Sequence, residues 1–223
     1  MFNSFVDECL PLRRIRAACD ACGVDLAEEE AFLGAGAMGR VFAVTCRSDA
    51  QKRAALKIVT RDHEYVLQHE AQRLVAAEAL DFVVNVVKSF TILPSNLGAA
   101  IVISPVGIPL DRESLLDDGV IHRVVHLLQR LHSAGIVHGD PRLANIIVVN
   151  DDLVWIDLAH LMRWQHDSFS IDMEVLCRSL LHIDLEVSLQ DSLRAALKSY
   201  DRSSARANDI ADQVARLLPR ESI

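Results

Sequence analysis

The chain reads as an α+β fold, on three observations. Glycines at 34, 36 and 39 run into the alternating, β-rich stretch Arg40 to Val44, so they join two strands. Two short apolar runs, Ile146–Val149 and Leu153–Ile156, flank an Asn150-Asp151-Asp152 turn. Apolar residues recur at helical spacing in Val120–Ser133, and helical patterns return near Leu185–Tyr200 and Ala205–Leu218.

In chain order, Leu12 to Cys22 has helical spacing and Gly23 suits a helix end. Glu28-Glu29-Glu30 closes this prelude. The segment Gly34-Ala35-Gly36-Ala37-Met38-Gly39-Arg40-Val41 is a full G-x-G-x-x-G-x-V. A dinucleotide fingerprint would open a helix here. A β-rich stretch follows instead, as in a hairpin folded over phosphates. The strand Ala54-Ala55-Leu56-Lys57-Ile58-Val59 then sets one lysine in an apolar frame. Burying it calls for an anionic partner, and Glu70 in the helical segment Glu64–Leu80 suits, with Glu64 and Glu78 on the same segment. Such a pair places an ammonium on nucleotide phosphates.

At 223 residues and 51% hydrophobic, the chain can bury a core for one large domain or two lobes. No run of about 18 uncharged apolar residues suggests a membrane span, and Met1 to Leu10 lacks a secretory pattern. A formal charge of −8 argues against general nucleic-acid binding. Five cysteines read as free thiols of a reducing compartment, cytoplasmic or nuclear. The C-x-x-C pair Cys19 and Cys22 has no matching second pair, so it reads as two thiols on one helical face. His122, His126 and His132 read as a solvated helix face rather than a metal site.

The chemistry concentrates in His138-Gly139-Asp140-Pro141-Arg142-Leu143-Ala144-Asn145, with Asp157 twelve residues further on in Trp155-Ile156-Asp157-Leu158. One aspartate can orient or deprotonate a hydroxyl. The asparagine and the second aspartate can hold metal ions that bridge phosphates. No serine or cysteine motif supplies a nucleophile for a triad built on His138.

Taken in order, these motifs resemble the protein-kinase superfamily, from about Ala31 to Cys177. The resemblance implies a bilobal protein-kinase-like α+β fold with a small antiparallel β lobe and a reduced, mostly helical large lobe. An N-terminal helical extension, residues 1–28, would precede the kinase-like domain, 29–223. That domain would divide into a small lobe (about 29–104), a hinge (about 104–108) and a large lobe (about 109–223). Val86–Leu93 and Ala99–Ser104 would be the last small-lobe strands, with Ile103 as gatekeeper. ATP would be held by Gly34, Gly36, Gly39, Val41, Lys57 and Glu70, and its adenine by backbone near Ser104 and Val106. Asp140 would act as catalytic base or orienting group. Arg142 would stand where many members place a lysine near the γ-phosphate. Asn145 and Asp157 would bind Mg2+, His138 would pack beneath Leu158, and Asp172 would brace the loop through backbone N–H groups.

The departures narrow the expectation. Gly139 replaces the usual Arg of H-R-D, which removes the grip on a phosphorylated activation loop. Leu158-Ala159 replaces Phe-Gly. Only fifteen steps separate Asp157 from Asp172, so the peptide-seating segment is a stub before the helix that starts near Ser170. The wording is similar to the kinase domains of Crinkler-type effectors, without a translocation segment. That likeness implies action in a host cytoplasm or nucleus. The leading expectation is a Ser/Thr protein kinase acting on a protein acceptor, itself included. The alternatives are a small-molecule phosphotransferase of the aminoglycoside or choline-kinase kind and a nucleotide-binding pseudokinase.

Overall fold

The computed structural model describes residues 10–36, 38–116, 118–158 and 169–218. The chain forms two compact units, Met1–Gly107 and Ile108–Ile223. Among the described residues the first holds a six-stranded antiparallel sheet with two α-helices, and the second is mostly helical. The class is α+β.

In the first unit helix α1 (Leu10–Cys22) ends at Gly23, whose φ of +68° turns the chain into β1 (Val24–Leu26). β2 (Phe32–Ala35), β3 (Gly39–Cys46), β4 (Asp49–Val59), β5 (Asn85–Ile92) and β6 (Ala99–Ser104) complete the sheet. Its order is β1-β3-β4-β6-β5, and β2 also pairs with β3. One helix, α2 (Glu64–Ala76), interrupts the strand series.

Side chains alternate across a strand, so register divides the sheet into two faces. Phe42, Leu56 and Val102 share one face across β3, β4 and β6, and Ile58 lies opposite Ala100 on it. Helix α1 covers that face: Ala18, Cys19 and Cys22 pack into one buried cluster with Phe42, Val44, Leu56, Ile58, Ala100 and Val102. The segment 1–28, set apart in the sequence reading, thus contributes a helix to the unit's core. Arg14 fastens it by donating to the Leu97 carbonyl at 2.7 Å. Arg47 adds exposed bonds to Asp20 and Asp25, each 3.0 Å.

The described cysteines, Cys19, Cys22, Cys46 and Cys177, are buried thiols. Cys46 lies in the same cluster as Cys19 and Cys22. Burial pushes the Cys19 thiol up to about 11 and raises that of Cys22. Among the described residues no three His, Cys, Asp or Glu gather as a metal site, and no helix is long and apolar enough to cross a membrane.

The second unit has a three-stranded sheet, β7 (Ile108–Pro109), β8 (Ile146–Val149) and β9 (Asp152–Trp155). Val149 pairs with Asp152, leaving Asn150 and Asp151 as a two-residue turn. Both have positive φ, 49° and 69°, which Asn and Asp tolerate and which fits the strand twist. Helices α3 (Asp118–Ser133), α4 (Phe169–Leu181), α5 (Asp191–Lys198) and α6 (Ser204–Leu217) supply the rest.

Two sequence readings change here. Of the α3 histidines, His132 leaves the solvated face, while His122 and His126 stay partly exposed. His122 and His126 reach Asp212 and Asn208 of α6, at 3.0 and 2.7 Å, and His132 is fully buried. The pattern from Leu185 becomes helical only at Asp191. Arg178 donates to the carbonyls of Asp184 and Val187, both at 2.8 Å, which holds the intervening segment as a loop and leaves Leu185 exposed.

Candidate active site

The predicted residues fall into two groups, one in each unit. In the first unit, β2 and β3 form the glycine hairpin, and the Gly36 N–H donates to the Gly39 carbonyl at 3.0 Å. A Cβ at Gly39 would stand 2.4 Å from the Ile58 carbonyl oxygen, so only glycine lets the hairpin lie against β4. Gly34 and Gly36 have open space where a side chain would be, leaving room for a ligand to approach the backbone.

Register then assembles a row. Val41 faces Lys57, and Lys57 faces Ile101; Ala43, Ala55 and Ile103 form the row beside it. This is the face opposite α1. Helix α2 buries Leu67, Glu70, Ala71 and Leu74, the i, i+3, i+4, i+7 stripe of an amphipathic helix. Glu70 therefore points inward, where Lys57 Nζ donates to both its carboxylate oxygens at 2.9 and 2.7 Å. The side chains are 12% and 2% exposed. A buried ion pair of this kind is a weak source of stability, because desolvation offsets the attraction. Glu64 and Glu78 were the other candidates on this segment; the ion pair is made by Glu70. Ser104 ends β6, and the half-buried Val106 follows it.

In the second unit the loop 138–145 is held from beneath. Asp172, in the first turn of α4, is buried and accepts from the backbone N–H groups of His138 and Gly139 at 2.5 and 3.0 Å. Gly139 has φ +90°, a conformation that costs glycine little and a β-branched or long residue more. His138 is buried edge-on against Trp155, with ring centroids 4.4 Å apart, and its Nδ1 accepts from the Asp140 N–H at 3.3 Å. Leu158 is buried as well. Leu143 N–H donates to the Ser179 hydroxyl at 3.1 Å, tying the loop's far end to α4.

On this base the polar side chains converge. Asn145 donates through Nδ2 to the Asp140 carbonyl at 2.8 Å and to its carboxylate at 3.2 Å. Arg142, largely exposed, donates to the same carboxylate oxygen, which raises the guanidinium above its ordinary range. Ile146 pairs with Trp155, and the Ile156 N–H donates to the Asn145 carbonyl at 2.9 Å. The hairpin register thus sets Ile156 opposite Asn145, with Asp157 one residue further on. Asp157 itself has φ +59°, which turns the chain out of β9. Asp140, Arg142, Asn145 and Asp157 lie at one end of one small sheet.

These donors suit a hard divalent cation. Asn145 and Asp157 offer oxygens, and magnesium is commonly held by one or two such groups with substrate phosphates completing its shell. The set has no soft ligand.

Two contributors escaped the sequence reading. His132 Nε2 lies 3.1 Å from the Asp172 carboxylate, and its Nδ1 lies 3.0 Å from the Tyr200 hydroxyl. A signal existed for His132: with Ile121, Val125 and Leu128 it completes an i, i+4, i+7, i+11 stripe, and all four are buried. Nothing local marks Tyr200, whose partner is 68 residues away.

No protein-family model matches the chain. Its structure is similar to the kinase domain of PknI from Mycobacterium tuberculosis, solved as a cysteine-to-alanine mutant. The TM-score is 0.60 at 18% identity, over 87% of this chain and 95% of that one. The fold is that of a protein kinase domain. Over 71 residues the chain is 37% identical to a probable bifunctional tRNA threonylcarbamoyladenosine biosynthesis protein of Methanothermobacter thermautotrophicus. That match covers 31% of this chain and spans 13% of the relative's length.

Proposed function

We propose that this chain is an ATP-dependent phosphotransferase, a Ser/Thr protein kinase whose acceptors include itself. The observation that carries the reading is the bidentate Lys57–Glu70 pair, a buried charge whose stability return is small and whose use is to receive an anion. The backbone of Gly34, Gly36 and Gly39 and the Lys57 ammonium hold the ATP phosphates. Val41 and Ile103 flank the base, which bonds to backbone near Ser104 and Val106.

Asn145 and Asp157 hold Mg2+, which when bound supplies positive charge to the phosphate oxygens. Asp140 orients the acceptor hydroxyl and takes its proton. The hydroxyl oxygen bonds to the γ-phosphorus as the bond from phosphorus to the β,γ-bridging oxygen breaks, and ADP leaves with that electron pair. Arg142 holds the Asp140 carboxylate in place and offers its remaining N–H groups to the transferring phosphoryl oxygens. The buried free thiols fit a cytoplasmic or nuclear place of action.

A second reading has its own observation. The 71-residue likeness to a probable tRNA threonylcarbamoyladenosine biosynthesis protein favours a part in tRNA modification. With a formal charge of −8, contact with the tRNA would fall to a partner.

The test is incubation with γ-labelled ATP and magnesium, alone and with a generic protein acceptor. Label on protein that vanishes in Asp157→Ala is expected. Transfer only to an added metabolite would favour the small-molecule alternative. ATP hydrolysis that appears only with tRNA-modifying partners would favour the second reading. Thermal stabilisation by nucleotide without transfer or hydrolysis would mean a pseudokinase.

A further inference from the structure

We infer that Tyr200, on the linker between α5 and α6, is a positioning residue that fixes the tautomer of His132 and through it the seat of the 138–145 loop. The inference rests on the functional reading above only for its effect on phosphoryl transfer; the tautomer claim stands on hydrogen-bond accounting alone.

The Asp172 side chain is an acceptor for two loop amides. One of its oxygens accepts from Gly139 N–H; the other accepts from His138 N–H and lies 3.1 Å from His132 Nε2. That nitrogen must carry a hydrogen to face a carboxylate. A neutral imidazole then has a bare Nδ1, and the Tyr200 hydroxyl, 3.0 Å away, is placed to donate to it. The chain of bonds has one direction: Tyr200 O–H to Nδ1, Nε2–H to Asp172, and Asp172 receiving the two loop amides. His132 is fully buried, and desolvation pushes its pKa down, which opposes an imidazolium here.

The surroundings hold Tyr200 in place. The His132 ring contacts Phe169 and Tyr200, at centroid distances of 4.9 and 5.7 Å. Arg202 sits 4.8 Å over the Phe169 ring, and its carbonyl accepts from Gln129 Nε2 at 2.8 Å. The residue 200–202 linker is thereby pinned to α3 and to the start of α4. Removing the Tyr200 hydroxyl would leave a buried Nδ1 without its donor. The alternative tautomer would aim a lone pair at Asp172. Both outcomes loosen the carboxylate that seats Gly139, one residue before Asp140.

The experiment is 15N NMR of the imidazoles and of the Gly139 amide in the intact chain. Wild type is expected to show His132 with a protonated Nε2 and an unprotonated Nδ1. Tyr200→Phe should shift both ring nitrogens and the Gly139 amide. It should also lower kcat by about tenfold, the scale of a small misplacement of a reacting group, with KM for ATP changed by less than about twofold. A wild-type His132 protonated at Nδ1 overturns the inference, and this needs no variant to fold. Unchanged His132 and Gly139 signals in a folded Tyr200→Phe protein overturn it as well. Absence of phosphoryl transfer in wild type would instead strike the functional reading and leave the tautomer result standing.

Discussion

Among the described residues each unit buries one acid against a nitrogen base, and the two pairs are built for opposite ends. Glu70 gives both carboxylate oxygens to the Lys57 ammonium. Asp172 divides its oxygens among His132 and two backbone amides. The first pair is two opposite charges that satisfy one another, and such a pair can be exchanged as a whole for apolar side chains of similar volume at little cost. The second cannot, because the N–H groups of buried His138 and half-buried Gly139 would lose their acceptor if an apolar side chain replaced the acid. A buried ion pair that supplies little stability is a candidate for chemistry; a buried acid that satisfies backbone is part of the frame.

The largest expected effect tests the chemistry that the frame presents. Asp140→Ala should cut phosphoryl transfer by about 100- to 10,000-fold, the range for a positioned general base, while the melting temperature stays close to wild type. Initial rates with labelled ATP and a melting curve decide it. Next comes the frame. Asp172→Ala strands two amide donors and a buried imidazole, so denaturant titration should show a loss of about 3 kcal/mol or more. A loss under about 1 kcal/mol would erase the contrast between the pairs.

The sheet face opposite Lys57 gives a third test. Leu56 is fully buried under α1, and Leu56→Ala should cost about 2–5 kcal/mol. Deletion of α1 should destabilise the unit in the same assay; a stable, ATP-binding chain without it would show that the helix only caps the sheet.

A smaller effect follows from His132. Burial depresses its pKa below the ordinary value of 6.5, so below that pH the unfolded chain binds a proton that the folded chain resists. Stability should fall as pH drops through about 6.5 toward the depressed value, and should not depend on this group above 6.5. His132→Gln should flatten that acid-side slope, even if it lowers stability overall.

Local patterns made much of this legible. The glycine stretch preceded an alternating run, so it had to be a hairpin; the Asn-Asp turn fixed β8 and β9; a lysine in an apolar strand required an acid. Asp172 as the brace of the loop followed from the family resemblance and is met by its two amide bonds. What sequence hid was long-range. The face taken by α1 depends on the pairing of β3, β4 and β6, and Cys46 joins Cys19 and Cys22 only through that sheet. Tyr200 is separated from His132 by two helices, so no spacing could pair them. The late start of α5 is set by two carbonyl bonds from Arg178, a tertiary effect that overrides helical pattern.

The central claim is that Lys57 and Glu70 serve a nucleotide rather than the fold, and the double variant Lys57→Met/Glu70→Leu tests it most directly. Replacing both members avoids leaving one charge buried alone. Denaturant stability should stay within about 1 kcal/mol of wild type or rise, while ATP binding by calorimetry weakens and phosphoryl transfer is lost. A loss of about 3 kcal/mol or more with ATP affinity unchanged would contradict the claim and make the pair part of the frame.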